Sequence, residues 1–294
     1  MTGACEYDRL PVTTERQPRR SRRALVQQLQ AQESALRRAP EPLAAPRPPF
    51  RGLYPDAVED VDPDDVVNGE RRDYPDDRPW VVLNLIASID GVTAVGGQTA
   101  SLSQAPDRAM FASLRAMADF VLVGAGTIRA EQYQAVGLDV QKTMARRQRG
   151  QTDVPRLAIV SRKAELDLAS SVITGGHPLM YVTEHINSMR AMQAEVVSEL
   201  VQSPGQKVSA QFIATDLFER GCALLLCEGG PSLASSLFDA DVVDEVHLTI
   251  APWLIGGGPA GLLPASIPRP RRYEMRGLME SQGMLFGRWV RARR

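Results

Sequence analysis

An acid, two glycines and a proline, Glu228-Gly229-Gly230-Pro231, follow four apolar residues, Leu224-Leu225-Leu226-Cys227. The apolar run reads as a buried strand. The glycines leave room for a second group to approach the backbone where a Cβ would block it. Pro231 fits the first turn of a helix, since its missing N–H has no partner there anyway. A helix starting at Pro231 presents free N–H groups and the positive end of its dipole, which suits a phosphate. A tight strand-to-helix turn without any ligand needs the same residues, so this stretch alone leaves both readings open.

Other stretches carry chemistry of their own. Phe120-Val121-Leu122-Val123 runs into Gly124-Ala125-Gly126-Thr127. This is G-x-G, but Arg129 and Ala130 occupy the region of the third glycine, so the dinucleotide fingerprint of a Rossmann fold is missing. The turn still offers backbone N–H groups and the Thr127 hydroxyl at a helix start. Ser161-Arg162 closes the apolar run Arg156–Val160. A hydroxyl and a guanidinium at a strand end meet the needs of a ribose 2′-phosphate; an exposed polar strand end looks the same. Asp90 and Glu228 are candidate proton donors, and either needs a raised pKa for that role. Asp90, between Ser88 and Gly91, equally fits a carboxylate that caps its own turn. Glu228 equally fits a carboxylate supporting a helix start. His247 falls in a strand pattern and reads as packed. Cys5, Cys222 and Cys227 show no metal-type spacing and read as reduced, structural thiols. Gly256-Gly257-Gly258 is either a loop beside a ligand or a wide turn.

The elements that must position these residues alternate. Apolar runs predict strands at 80–87, 120–123, 156–160, 179–182, 224–227, 244–251 and 284–290. Helices are expected over 107–118 behind Pro106, over 188–200, from a Thr215 cap to Glu219, and over 232–238. Residues 138–154, with Arg146, Arg147 and Arg149, read as a polar surface excursion. The alternation predicts one α/β domain over 78–294, a mostly parallel central sheet flanked by helices. Residues 1–77 read as an arm and an acidic linker. Ser21 to Ala39 can form a helix with Leu25, Leu29 and Leu36 on one face, and the prolines from Pro40 to Pro49 forbid regular structure after it. The arginines of this largely irregular arm suit either an anionic partner or a solvated tail; the tail is favoured because no aromatic residues interleave with them. The carboxylates between Asp56 and Asp77 suit a hard cation or a surface linker. Pro63, Pro75 and the lack of a calcium-type loop favour the linker.

The 294 residues carry a formal net charge of −1 and a 44% hydrophobic fraction. That balance supports a sizeable core and argues against a nucleic-acid partner. No apolar run approaches a membrane span, and the N-terminus has no apolar signal region. With reduced cysteines, the expectation is a cytoplasmic protein without a membrane partner.

The motifs in order resemble one family. They are Ser88-x-Asp90-Gly91, Leu114-Arg115-Ala116-x-x-Asp119, Val121-Leu122-Val123-Gly124, Gly126-Thr127, Ser161-Arg162, Glu228-Gly229-Gly230, Asp244-Glu245 and Pro252. Together they resemble the C-terminal reductase domain of the riboflavin-pathway deaminase–reductases, over about residues 78–292. The resemblance implies a dihydrofolate reductase-like fold and NADPH as the coenzyme. It implies hydride transfer to a C=N-type carbon of a ribosylaminopyrimidine phosphate, as in a 5-amino-6-(5-phosphoribosylamino)uracil reductase, without metal or flavin. It places Gly229, Gly230, Pro231, Ser232 and Leu233 on the coenzyme diphosphate, and Ser161 and Arg162 on its 2′-phosphate. Ala87, Gly126, Thr127 and Glu131 lie along the coenzyme. Thr99, Arg115 and Glu228 face the substrate. It also implies a homodimer.

Two departures qualify the resemblance. No H-x-E and no P-C-x-x-C of a zinc deaminase occurs, so a free-standing reductase is expected. After Thr127, where the family has an acidic pair, a proline and then an arginine for the sugar phosphate, the chain reads Ile128-Arg129-Ala130-Glu131-Gln132-Tyr133. Two other functions therefore stand beside the first: a reductase of a dihydropterin or another C=N compound, and an NADPH-binding protein without catalysis.

Overall fold

The computed structural model describes residues 47–69, 71–131, 133–256, 262 and 269–292. The helix expected over Ser21–Ala39 lies outside the described residues. The compact unit begins at Arg47.

A ten-stranded sheet runs through this unit. Its strands are β1 (Arg51–Tyr54), β2 (Trp80–Ser88), β3 (Phe120–Gly124), β4 (Arg156–Val160), β5 (Leu179–Thr183), β6 (Glu199–Ser203), β7 (Leu224–Cys227), β8 (Val243–Ala251), β9 (Tyr273–Ser281) and β10 (Met284–Arg291). Their spatial order is β1-β9-β10-β8-β2-β7-β3-β4-β5-β6. From β8 to β6 every pairing is parallel. β10, β9 and β1 continue the sheet antiparallel beyond β8. Val81–Leu83, Val121–Val123 and Leu224–Cys227 are buried throughout. Their near-continuous apolar sequence follows from apolar packing on both faces, where no position can afford to be polar. The two faces bury separate clusters: Val82, Leu114, Val121 and Leu226 on one side, Leu83, Leu122, Leu225 and Leu237 on the other.

The helices among the described residues are α1 (Pro63–Gly69), α2 (Ala105–Met117), α3 (Ala125–Ala130), α4 (Val140–Gln148), α5 (Ser171–Thr174), α6 (Ser188–Glu195), α7 (Ala210–Glu219) and α8 (Pro231–Asp239).

Several expectations are corrected. The helix expected to Leu200 stops at Glu195, and Glu199–Ser203 pairs parallel with β5. As the edge strand β6 it is only half-covered and keeps polar residues, which hid its period. Thr215 lies inside α7; the cap is Ser209, whose hydroxyl accepts from the Phe212 N–H. Residues 54–77 carry α1, and β1 just before them pairs with β9, so the sheet recruits chain upstream of residue 78. β9 was not anticipated.

The 138–154 excursion holds α4, capped by Asp139 accepting from the Lys142 N–H. Arg146 is fully buried there. It donates to the carbonyls of Thr152 (2.7 Å), Ala116 (3.0 Å) and Ala118 (2.5 Å). Carbonyls at a helix C-terminus have no partner within the helix, and here a guanidinium from another element takes them. Burial lowers the Arg146 pKa to about 10.

Candidate active site

The C-terminal ends of the parallel strands open into a cleft of about 830 Å³. Open α/β sheets place ligands in this position, because the loops there diverge to neighbouring helices. The cleft is lined by Asn84–Ile86 of β2, the β3–α3 turn, the residues after β4, and the β7–α8 turn.

The two glycine-bearing turns are locked together. The Gly124 N–H donates to the Gly229 carbonyl at 3.1 Å. Gly229 and Gly230 have φ of +94° and +59°, the left-handed region where a side chain is costly. A Cβ on Gly230 would lie 3.1 Å from the Thr127 hydroxyl. Gly230 is also the residue capping α8, with no side chain of its own over the helix end. A bare helix N-terminus thus faces an open cleft, which fits a diphosphate. Arg162, Lys163 and Lys207 line the same cleft, exposed and without an ion pair among the described residues. Cations without an ion pair on the wall of the cleft fit a further phosphate.

Arg115 of α2 grips Glu228 with two N–H groups, at 2.6 and 2.7 Å. Its Nη2 also donates to the Tyr133 hydroxyl at 2.8 Å, and that hydroxyl donates a short bond to Glu228. The guanidinium stacks 4.1 Å from the Phe111 ring centroid. Burial works against the Arg115 charge, but Glu228 and Tyr133 outweigh it and raise its pKa further. Burial, then the Glu228 charge, pushes the Tyr133 phenol well above its usual range.

The expected site residues are brought together in part. Gly126, Thr127, Ser161, Arg162 and Gly229–Leu233 line the cleft, as do Thr99, Glu131 and Glu228. The Glu131 carboxylate accepts from the Thr99 N–H at 2.6 Å, so it ties the 95–99 loop to the C-terminal end of α3. Ala87 is buried inside β2 and does not line the cleft. Arg115 stands behind Glu228 and does not line it either.

Both expected proton donors are engaged as hydrogen-bond acceptors. Asp90 is exposed outside the cleft; it accepts from the Ser88 hydroxyl (2.5 Å) and the N–H groups of Ile255 (3.2 Å) and Gly256 (2.6 Å). The Ser88 hydroxyl first, then the Gly256 N–H, lowers its pKa. It bonds Ser88 within its own turn and holds the loop that follows β8. Glu228 spends both oxygens on Arg115 and Tyr133. Sequence reading missed Tyr133, Lys163 and Lys207, and also Asp107, a cleft-lining acid in the first turn of α2. The four-residue spacing of Asp107, Phe111 and Arg115 was the available signal.

His247 is packed, as expected. Its ring meets the buried carboxylate of Glu245 at 2.7 Å. Arg72 and Arg288 each make two bonds to that carboxylate, and the Trp80 indole N–H makes another.

This sheet order and its C-terminal cleft define a dihydrofolate reductase-like α/β reductase fold. Residues 79–271 match the model of the RibD C-terminal domain, and the chain belongs to that family. It is 25% identical over 182 residues to the 2,5-diamino-6-ribosylamino-4(3H)-pyrimidinone 5′-phosphate reductase of Archaeoglobus fulgidus, covering 61% of this chain and 83% of that one. The protein of the same name from Methanothermobacter thermautotrophicus is 27% identical over 187 residues, covering 63% and 83%. The crystal structure of a pyrimidine reductase-like protein from Corynebacterium diphtheriae matches with a TM-score of 0.71 at 25% identity, over 80% of this chain and all of that one.

Proposed function

We propose that this chain is an NADPH-dependent reductase acting on a C=N-type carbon of a ribosylaminopyrimidine phosphate. The observation that carries the reading is the cradle at Gly229–Gly230. A side chain at Gly230 would close it against Thr127, and a helix N-terminus stands open behind it. Family membership and the names of the relatives point the same way.

In this reading the backbone from Gly229 to Leu233 holds the coenzyme diphosphate. Ser161 and Arg162, with Lys163 and Lys207 near them, hold the 2′-phosphate and select NADPH over NADH. Thr127 and Gly126 flank the bound dinucleotide. When bound, the reduced nicotinamide supplies the hydride. The protein supplies orientation and a water-poor slot. Glu228 and Arg115 act as positioning residues, because their mutual ion pair fixes the β7–α8 turn against α2. We read the protein as a cytoplasmic homodimer; light scattering on the purified chain tests its mass.

A second reading, reduction of a dihydropterin, is favoured by one observation: Arg115 is committed to Glu228 and Tyr133 and so is not offered to a sugar phosphate. The two are separated by following NADPH loss at the nicotinamide absorbance band with each substrate. Turnover of 2,5-diamino-6-ribosylamino-4(3H)-pyrimidinone 5′-phosphate supports the first. Turnover of a dihydropterin alone supports the second. Inertness toward both leaves neither standing.

A further inference from the structure

The chain between β2 and α2 turns back on itself at Val95–Gln98. The Val95 and Gln98 backbones exchange two hydrogen bonds, at 2.9 and 3.1 Å. Gly96 and Gly97 between them take φ of +60° and +84°, as a two-residue hairpin turn requires. Thr93, Ala94, Gly97 and Thr99 of this loop line the cleft. Two bonds fasten the loop to the C-terminal end of α3. The Glu131 carboxylate accepts from the Thr99 N–H at 2.6 Å. The Gln98 side-chain amide donates to the Ala130 carbonyl at 3.0 Å, a last-turn carbonyl without a partner inside the helix.

The sheet order gives these two bonds their reach. The loop follows β2, α3 follows β3, and β7 lies between those strands. All three strands run parallel, so their C-terminal ends share one edge of the sheet. The fastened loop therefore spans the width of β7, from whose end the Glu228–Gly230 turn begins. It is a strap from one wall of the cleft to the other.

We infer that Glu131 is a positioning residue, which holds the 95–99 strap across the cleft and so closes the space where substrate meets the nicotinamide. The inference rests on the proposed function. With the diphosphate on the Gly229–Gly230 backbone, the strap shields the rest of the cleft from water. Polar contacts made in a shielded slot are stronger than the same contacts in water. What the strap needs from Glu131 is an acceptor oxygen at a fixed place, neither its charge nor a proton. A glutamine keeps that oxygen and an alanine removes it.

The test compares wild type, E131Q, E131A and Q98A in two measurements. The first is amide hydrogen exchange of residues 93–103 with NADPH bound. Exchange should quicken about tenfold in E131A, the worth of the lost bond, and stay close to wild type in E131Q. The second is steady-state NADPH oxidation with 2,5-diamino-6-ribosylamino-4(3H)-pyrimidinone 5′-phosphate. E131A should raise KM for that compound by about tenfold or more and leave kcat within about threefold, as when uniform binding is lost. Q98A should raise KM by about threefold, and E131Q by no more than that, because neutral hydrogen bonds are weaker than charged ones. NADPH affinity, read by nicotinamide fluorescence, should be unchanged in every variant, which shows that the fold is kept. E131Q as damaging as E131A would give the carboxylate charge a direct role and overturn the inference. So would an E131A variant with the KM and exchange rate of wild type. If wild type binds NADPH and reduces nothing, the functional reading fails, and exchange alone then judges the strap: faster exchange in E131A but not E131Q upholds it, and equal rates overturn it.

Discussion

Arg115 and Glu228 are joined by two parallel hydrogen bonds, at 2.6 and 2.7 Å, across the junction between helix α2 and the turn that starts α8. Glu228 immediately precedes the glycine pair. The ion pair therefore sets where the cradle begins, and the Glu228 side chain is only 1% exposed.

Removing one partner of a buried ion pair leaves an uncompensated charge. R115M should lower unfolding stability by about 3–5 kcal/mol, read by urea denaturation, and R115M/E228M should recover much of that loss. Single and double variants as stable as wild type would show that the pair does not hold the junction.

Gly230 tests the cradle. G230A places a side chain at a φ of +59° and a Cβ 3.1 Å from the Thr127 hydroxyl. The left-handed backbone alone should cost about 1–2 kcal/mol of stability. In a calorimetric titration NADPH affinity should fall further than that strain explains, because the added methyl group occupies the diphosphate's approach. Unaltered affinity would move the diphosphate elsewhere.

Arg162 tests coenzyme choice. R162A should weaken NADPH binding by about tenfold to a hundredfold, the usual worth of a charge-assisted hydrogen bond, and leave NADH binding nearly untouched. An equal loss for both coenzymes would place the guanidinium on a shared phosphate.

Stability should fall in acid, through the Glu245 cluster. Burial raises the Glu245 pKa, but the His247 and Arg288 bonds and the Arg72 charge overcome it and hold the carboxyl well below its usual range. Burial lowers the pKa of His247. Both groups thus bind fewer protons folded than unfolded. The His247 contribution is complete above about pH 6.5 and is lost as pH falls below it; the Glu245 contribution is complete above about pH 4.5 and is lost further down. The urea midpoint should drop from pH 8 to pH 4, and E245Q should flatten the lower part of that slope. A midpoint that does not change with pH would contradict this.

How far the sequence spoke depended on what each residue had to satisfy. The central strands were legible because burial on both faces forces continuous apolar runs, as in Leu224–Cys227. The glycine turns were legible because φ above zero leaves few residue choices. Edge elements were not: β6 mixes glutamate and glutamine with leucine and valine, since only part of it is covered. Arg146 looked like surface charge, because nothing in its own segment reveals that its partners are carbonyls roughly thirty residues away. The same limit hid the Arg115–Glu228 pairing. Both residues were expected on the substrate side, but the geometry shows that they neutralise each other.

The central claim is that one reduced dinucleotide lies across the ends of β7, β3 and β4. A crystal structure of the protein with NADPH tests it most directly. The account predicts density for the diphosphate against the backbone of Gly229–Ser232 and for the 2′-phosphate beside Ser161 and Arg162. Density for the coenzyme elsewhere on the molecule, or none at saturating NADPH, would contradict it.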